Sequence, residues 1–257
     1  MPPRYARIAF FGLCCLALFG CASLPPGSKG DPRDPWERMN RATYKFNDGF
    51  DRAIAKPVAK AYVKVTPHFV QTGVSNFFDN LGYPVTIVND LLQGKIKQTC
   101  QDTGRLLVNT TIGIGGLFDP AGKMGLDKND EDFGQTLGKW GVHPGPYLVI
   151  PFFGFSDVRD GIGRGADVFT HPTHYISNST LKWSLYGVEL LDTRARLLNA
   201  GDVLNRTFDP YAFSRNAYLQ RRQYLVTDGE DSGVEEPPPD VPDDEPPTPP
   251  PDDGDKK

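Results

Sequence analysis

The chain has 257 residues, a formal net charge of −4 and 39% hydrophobic residues, which suits one large domain or two small ones with a buried core. A mean hydropathy of −0.41 excludes a protein with several membrane spans, and the mild acidity argues against nucleic acid as a partner. These averages conceal an uneven chain, because charge and cysteine are distributed differently in the two ends and the body.

The first 20 residues have the pattern of a secretory signal peptide. Arg4 and Arg7 precede an apolar run over residues 8–19, and a basic start followed by about a dozen apolar residues is typical of such signals. The run is too short for a comfortable transmembrane helix, which needs about 20 residues. Residues 1–20 are therefore predicted to be a signal peptide.

The end of this signal, Leu18-Phe19-Gly20-Cys21, resembles a bacterial lipobox, in which the chain is cut before the cysteine and the cysteine is acylated. Cys21 is therefore the predicted lipidation site, and its acyl chains, palmitate among them, would anchor the protein stably in a membrane. Ala22, rather than an aspartate, follows the cysteine, which favours the outer membrane. The alternative is an ordinary signal with an incidental cysteine.

Residues 228–257 form an acidic, proline-rich tail. They contain twelve acidic residues, two lysines, nine prolines and no aromatic residue, so they cannot bury enough apolar surface to offset chain entropy and are predicted to be disordered. The tail has a charge of −10, which leaves residues 21–227 with a net charge of +4. We expect residues 21–33 to be a linker and residues 34–227 to be a helical domain whose weak basicity suits an anionic lipid surface.

The first part of this domain is predicted to be a series of amphipathic helices. Asp34 and Pro35 are typical of the N-cap and first position of a helix, and apolar residues then recur at spacings of three and four. Pro57 starts a second segment, Pro67 marks a break, and Gly82-Tyr83-Pro84 is predicted to end a third. A fourth helix follows directly.

The rest of the domain changes character twice. Residues 111–165 are rich in glycine and proline, with one short helix predicted over residues 132–140 and a strand-like segment at 147–153 that has no convincing partner. Helical patterning returns over residues 181–198 and after Asp209-Pro210, which predicts a C-terminal helical hairpin. The predicted fold class is therefore all-α, with a Gly/Pro-rich central segment.

The apolar stripes have two interpretations. Each is typical of the core face of an ordinary helical domain, or of an amphipathic helix lying in a membrane interface. A lipid anchor and the 25 aromatic residues in the mature body, out of 29, favour the second, because aromatic side chains are enriched at headgroup depth. The stripe of the fourth helix contains Ile96, Cys100, Thr103 and Leu107. Cys100 is the one free cysteine expected in the mature chain, because two others lie in the signal peptide and Cys21 carries lipid. It is expected to be a small buried residue rather than a nucleophile.

The sequence contains no familiar catalytic motif: no nucleophile elbow, no Walker loop and no His-Glu-x-x-His. His171 and His174 are close in sequence, but Pro172 lies between them and a third ligand is missing, so no metal and no cofactor is expected. We therefore expect no catalytic residues and no enzyme.

Residues 34–163 contain a series of motifs in a fixed order: Asp34-Pro-Trp-Glu-Arg-Met-Asn40-Arg41, Asn76-Phe-Phe-Asp-Asn-Leu81, Leu91-Leu-Gln-Gly94, Gly116-Leu-Phe-Asp119, Asp132-Phe-Gly-Gln-Thr-Leu137 and Gly145-Pro-Tyr147. With the lipobox at Cys21, this series resembles the MlaA (VacJ) family of outer-membrane phospholipid-transport lipoproteins. The resemblance implies a ring of amphipathic helices lying in the membrane plane around a channel, anchored by lipid on the periplasmic side of the outer membrane.

The resemblance also implies a function. Mislocalised phospholipid would leave the outer leaflet through the channel and pass to a soluble periplasmic carrier protein, which maintains the lipid asymmetry of the outer membrane. A trimeric porin would scaffold the lipoprotein, and no covalent chemistry would take place on it.

Candidate channel residues come from the Gly/Pro-rich segment, because a lipid headgroup needs a polar, wet path. The polar candidates are Asp132, Gln135, Arg159 and Asp160, the candidate wall residues are Phe133 and Tyr147, and the candidate hinges are Gly161 and Gly163. For each of them the alternative is a residue that fixes a loop or packs the fold.

Two other functions remain open. One is an envelope lipid hydrolase that uses Asp132, His143 or Asp160, and the other is a non-transporting envelope scaffold whose acidic tail captures partners. Transport direction, headgroup preference, the identity of the porin and the surface that meets the carrier are not given by the sequence.

Overall fold

The computed structural model describes residues 30–198 and 207–229. Cys21 and the predicted signal peptide lie outside these ranges, as does the predicted tail apart from Asp228 and Gly229. The described residues are mainly helical, as predicted, and contain nine α-helices: α1 Glu37–Phe50, α2 Lys56–Val65, α3 His68–Leu92, α4 Ile96–Thr111, α5 Pro120–Lys123, α6 Phe133–Lys139, α7 Val158–Asp167, α8 Ser179–Arg196 and α9 Pro210–Val226.

Residues 37–65 form one nearly continuous helical stretch. α1 leads into a π-helical segment, Asp51–Ala55, and then into α2, with helical backbone angles at each junction. Pro57 lies in the first turn of α2, where proline is tolerated. The predicted break at Pro67 is confirmed, because α2 ends at Val65 and Pro67 directly precedes α3.

The start of α1 differs from the prediction, because Asp34 is not its N-cap. Trp36 holds that position without a side-chain hydrogen bond, and Asp34 is buried. Its carboxylate accepts hydrogen bonds from the Asn40 amide at 2.7 Å, from the Tyr211 hydroxyl and from Arg215 at 3.2 Å. Asp34 thus joins the start of α1 to α9.

α3 also corrects the sequence prediction, because Gly82-Tyr83-Pro84 does not end a helix. The helix runs from His68 to Leu92 with Pro84 inside it. Proline removes one backbone hydrogen bond, but α3 packs extensively on α4 at this point. Tyr83 is buried there, and its hydroxyl oxygen accepts a hydrogen bond from Arg105 Nε at 2.5 Å.

The strand-like segment has a partner that the sequence does not reveal. β1, Tyr147–Ile150, pairs antiparallel with β2, Gly154–Asp157, across a turn in which Phe152 has a φ angle of 66°. The partner escapes sequence analysis because Gly-Phe-Ser-Asp has weak strand propensity. This pair is the one sheet in the described residues, so the all-α class stands.

Two asparagines on α1 hold this hairpin against the helix. Asn40 donates to the Tyr147 carbonyl at 3.0 Å and accepts from the Val149 amide at 2.9 Å. Asn47, two turns further along α1, donates to the Ile150 carbonyl at 3.1 Å and accepts from the Phe152 amide at 2.9 Å. An amide side chain supplies both a donor and an acceptor, so each asparagine pairs with the backbone as a strand would.

The glycine-rich loop after α4 is fixed by two polar residues of that helix. Arg105 Nη2 donates to both oxygens of Asp119 at 2.9 Å, and the Asn109 amide donates to the same carboxylate at 2.9 Å. The loop then lies against α3, where Gly116 has a φ angle of 91°. A Cβ at Gly116 would lie 2.5 Å from the Cβ of Asn80, so glycine is required by both conformation and space.

The two predicted C-terminal helices are present as α8 and α9, but they do not pair as the predicted hairpin. α8 packs on α2 and α3, whereas α9 packs on α6 and β2. Charged residues explain the separation: Arg194 of α8 pairs with Asp51, and Arg222 of α9 pairs with Asp132. The residues between them, 199–206, lie outside the described ranges.

The distribution of side chains is the reverse of that in a typical globular domain. Among the residues that the structure describes, twenty-two polar or charged side chains are buried against seven hydrophobic ones, while thirty-four large hydrophobic side chains are exposed. Exposed apolar side chains in this number favour contact with a membrane or another protein. None of the helices in residues 30–198 and 207–229 is both long and apolar enough to cross a bilayer.

α4 illustrates this inversion. Its buried residues are Asp102, Arg105 and Asn109, whereas Ile96 and Leu107 are exposed. The apolar stripe therefore faces outward on this helix, and its member Cys100 is exposed rather than buried as expected. The reason is that periodicity identifies an apolar face but not the surroundings of that face.

Gly163 and Gly161 of α7 form a matched pair for testing how α7 packs on α6. A Cβ at Gly163 would lie 2.4 Å from the backbone nitrogen of Gly134, whereas a Cβ at Gly161 would meet Ser156 Oγ at 3.7 Å. We predict that Gly163→Ala lowers the free energy of unfolding by about 1–3 kcal/mol through overpacking, and that Gly161→Ala does not lower it. Thermal unfolding in detergent, followed by circular dichroism, measures both; equal stabilities would contradict this packing.

Candidate functional site

A cavity of about 960 Å³ lies between the helices, a volume typical of small-molecule binding sites. Its wall is formed by α3, the loop of residues 128–132, the end of α7, and α8 and α9. Elements from most of the described chain thus surround one space. The lining mixes charged side chains with tyrosines and aliphatic residues.

Ion pairs join neighbouring elements of the cavity wall. Asp79 of α3 accepts from Lys128 of the loop at 2.8 Å and from Arg196 of α8 at 3.3 Å. Arg196 also pairs with Asp192 at 3.2 Å, and Ser75 of α3 donates to Asp192 at 2.8 Å. These contacts fix α3, the loop and α8 relative to one another.

The loop of residues 128–132 is held from behind by a buried polar cluster. The Asn129 amide donates to Asp90 and to Asp102 at 3.1 Å each, and both aspartates are fully buried. Burial and the adjacent Asp102 raise the pKa of Asp90 to about 8, because two neighbouring carboxylates cannot both carry a charge in a low-dielectric site. Glu131, the next ionisable residue of this loop after Asp130, pairs with Lys95 at 2.6 Å.

Three of the channel candidates meet around one arginine of α9. Arg222 donates to Asp132 through Nη1 at 2.6 Å and to Asp160 through Nη2 at 2.8 Å. Arg159 Nη2 pairs with the same Asp160 at 3.0 Å, and Asp160 also accepts from the Tyr218 hydroxyl at 2.5 Å. Asp132, Arg159 and Asp160 therefore belong to one buried network.

Two helices in this region have an aspartate as the N-cap. Asp132 caps α6 by accepting from the Gln135 amide at 2.8 Å, and Asp157 caps α7 by accepting from the Asp160 amide at 2.7 Å. Burial would raise the pKa of Asp132, but the hydrogen bonds and charge of Arg222 bring it below its ordinary value. Burial raises the pKa of Asp157 to about 6, despite the hydrogen bond from the Asp160 amide.

Asp132 lines the cavity, whereas the other five channel candidates do not. Gln135 is buried and donates to the Asp130 carbonyl at 3.1 Å. The Phe133 amide donates to Asp167 at 3.1 Å. The role of all six candidates in a channel stays a prediction, but their contacts anchor the loop and helices that form the wall.

Tyr147 and the two glycines lie further from the cavity. Tyr147 is fully buried and packs against Tyr211 and Tyr218, with ring centroids 6.3 and 5.8 Å apart. Gly163 is in close contact with the backbone of α6, while Gly161 has more room. Their action as hinges stays a prediction.

Several wall residues were missed by the sequence analysis. The missed lining residues are Asp79, Glu189, Arg196 and Arg221, and Arg222, which pairs with Asp132 but does not line the cavity, was missed as well. Each lies on a helix whose apolar stripe is a stronger signal than its single charged residues. The one available hint is the pair of adjacent arginines within α9, where Tyr211, Tyr218 and Leu225 occur at heptad spacing.

The chain is similar to known proteins over most of its length. The family described as MlaA lipoprotein matches residues 32–225. The chain is similar to the intermembrane phospholipid transport system lipoprotein MlaA of Escherichia coli K12, with 38% identity over 90% of this chain and 93% of that protein. The protein of the same name from Haemophilus influenzae is 33% identical over 85% of this chain and 89% of its own length.

A solved structure is similar as well. It belongs to work on the "Structural basis for maintenance of bacterial outer membrane lipid asymmetry", has a TM-score of 0.67 and 36% sequence identity, and its match covers 75% of this chain and 98% of its own. At this identity the likeness extends beyond a shared fold.

Arg222 and its neighbour Arg221 provide a test of the buried network. Arg222 is largely buried between Asp132 and Asp160, whereas Arg221 is exposed in the cavity. We predict that Arg222→Gln lowers the free energy of unfolding by about 3 kcal/mol, because it leaves Asp132 without its cation and removes one of the two arginines that pair with Asp160. Arg221→Gln should change it by less than about 0.5 kcal/mol. Denaturant unfolding measures the stability of both variants. Similar losses of stability in the two would contradict the assignment of Arg222 to the buried network.

Asp90 predicts a dependence of stability on pH. Its ordinary pKa is 3.8 and its folded pKa is about 8, so between these values the unfolded chain releases a proton that the folded chain keeps. The free energy of unfolding should therefore fall as the pH rises from about 4 to about 8. We predict that Asp90→Asn removes this contribution and raises the free energy of unfolding at pH 8 by at least about 2 kcal/mol.

The control for this prediction is Asp127→Asn, on the exposed part of the same loop. Unfolding is measured at several pH values for both variants and the native chain. An unchanged slope in Asp90→Asn, or an equal change in Asp127→Asn, would contradict the role of the buried pair.

Proposed function

The chain belongs to the MlaA lipoprotein family, and on this basis we propose that it is an outer-membrane lipoprotein that removes mislocalised phospholipid from the outer leaflet. The lipid leaves through the central cavity and passes to a soluble periplasmic carrier, which maintains the lipid asymmetry of the membrane. The relatives named above belong to an intermembrane phospholipid transport system, and this is the general role we infer here.

The observation that carries the proposal is a cavity lined by both charged and apolar side chains, in a fold that exposes many large hydrophobic side chains. A headgroup that crosses hydrocarbon unaccompanied loses several kcal/mol of hydration, and the charged side chains that line the cavity would offset that cost. The exposed apolar side chains supply a surface for contact with lipid tails. The fold thus offers polar contacts inside for the headgroup and apolar contacts outside for the bilayer.

The remaining features of the proposal concern location and partners. Cys21, outside the described residues, would carry the acyl anchor and hold the protein on the periplasmic side of the outer membrane. A trimeric porin would scaffold it there, and the carrier would collect the lipid. The amphipathic helices would lie in the membrane plane around the channel.

The envelope-hydrolase alternative draws no support from the geometry. Asp132 and Asp160 both accept hydrogen bonds from Arg222, which fixes the two carboxylates as partners of a cation. His143 lies on an exposed segment. The relatives are named as transport lipoproteins rather than as enzymes, and we propose no enzymatic step.

Two glycines provide a matched test of the lipid path. Gly82 of α3 lines the cavity and Gly187 of α8 does not, and a Cβ at either position meets nothing within 4 Å. Gly82→Trp should fill part of the cavity, so cells that carry it should accumulate outer-leaflet phospholipid as cells lacking the gene do. Gly187→Trp should restore normal asymmetry.

The assay measures phospholipid on intact cells with an external amine-reactive probe, at equal protein abundance confirmed by immunoblotting. Full restoration by Gly82→Trp would overturn the proposed path. Normal lipid asymmetry in cells that lack the gene, with other lipid-transport routes also removed, would overturn the proposed function itself.

A further inference from the structure

The carboxylates of the cavity wall are mostly paired, either with other lining residues or with cations behind the wall. The lining contains seven carboxylates and four permanent cations. Asp79 pairs with Lys128 and Arg196, Glu131 with Lys95, and Asp132 with Arg222. Asp228 pairs with Lys139 at 2.8 Å. Asp167 accepts hydrogen bonds from the Phe133 backbone amide and from the Asn89 side-chain amide.

Three lining charges remain without a direct partner. In the described residues, the carboxylates of Asp130 and Glu189 and the guanidinium of Arg221 make no hydrogen bond and no ion pair within 4 Å. They come from three different elements of the wall: the loop, α8 and α9. The cavity therefore presents free charges of both signs.

Two of these charges, Asp130 and Arg221, act on each other without direct contact. Burial raises the pKa of Asp130, the charge of Asp132 adds to the rise, and the charge of Arg221 opposes it. Burial likewise raises the pKa of Glu189. Neither carboxylate has a cation in direct contact, and Arg221 lies close enough to Asp130 to act on its charge but too far to pair with it.

A ligand that carries both charges would complete this arrangement. We propose, on the basis of the lipid path above, that the cavity selects a zwitterionic phospholipid headgroup with a primary ammonium group. Asp130 and Glu189 receive the ammonium, and Arg221 receives the phosphate. An ammonium group donates up to three hydrogen bonds to carboxylates, and a guanidinium matches two phosphate oxygens.

The arrangement discriminates between headgroups. An anionic headgroup such as glycerol phosphate would satisfy Arg221 but leave Asp130 and Glu189 without a cation and near a like charge. A choline headgroup carries a positive charge but no N–H donor, so it would lose the hydrogen bonds to the carboxylates. Phosphatidylethanolamine is therefore the expected preferred lipid over phosphatidylglycerol and phosphatidylcholine.

The experiment is a competition among these three lipids. Full-length acylated protein is incubated in detergent with equal amounts of each, repurified, and the retained lipid is quantified by mass spectrometry. The native chain should retain phosphatidylethanolamine at least about fivefold over phosphatidylglycerol, a ratio within the range of one charge-assisted hydrogen bond. Phosphatidylcholine should fall between the two.

The variants separate the two halves of the proposed site. The double substitution Asp130→Asn with Glu189→Gln should reduce the preference to within about twofold while lipid is still retained. Arg221→Gln should lower the retention of all three lipids by about tenfold, because they share the phosphate. Asp127→Asn, on the same loop but outside the cavity lining, should behave as the native chain, and circular dichroism confirms that each variant is folded.

The outcomes distinguish this proposal from the one on which it rests. Equal retention of the three lipids by the native chain, or a preference unchanged in the double variant, would overturn the headgroup selection but leave lipid transport intact. Retention of no phospholipid by the native chain, together with unaltered outer-leaflet lipid in cells lacking the gene, would overturn the transport function.

Discussion

Buried charges must be paired, and this requirement organises the described part of the molecule. Because so many apolar side chains face outward, the interior is held by arginines that bridge distant parts of the chain. A guanidinium offers five donors in a planar fork, so Arg222 can hold Asp132 and Asp160 together, and Arg105 can fix Asp119. The buried hydrophobic cluster around Tyr147 and Tyr211 is small beside these polar junctions, so loss of an arginine removes both a charge and a structural connection.

The features that could be predicted from the sequence are those set by residues close together in the chain. The helix start at Asp132, the break at Pro67 and the helical class all follow from local preferences and are confirmed. The failures occur where distant contacts override those preferences. α3 continues through Pro84 because Tyr83 is held by Arg105 of the next helix, and β2 forms because Asn40 and Asn47 hold the hairpin turn to α1. Periodicity also could not decide which face of α4 is buried, since a lipid-facing and a core-facing stripe have the same spacing.

The candidate site was predicted only in part, for a related reason. Asp132, Arg159 and Asp160 lie in a Gly/Pro-rich segment where polar residues are conspicuous, and the structure brings them together. Their shared partner Arg222 is 90 residues from Asp132 and 62 from Asp160, a separation that no local pattern reports. The cavity is likewise a property of the assembled helices. Its unpaired charges on the loop, α8 and α9 become recognisable as a group once the chain has folded.

Pro84 has a mechanical consequence. It lies within the stretch of α3 that borders the cavity, between the lining residues Tyr83 and Val85. Because proline has no amide hydrogen, the carbonyl of Asn80 lacks its usual helical donor, and the helix is least stiff at this point. The wall of the cavity thus includes a point of lower helix stiffness, set by one proline between two lining residues.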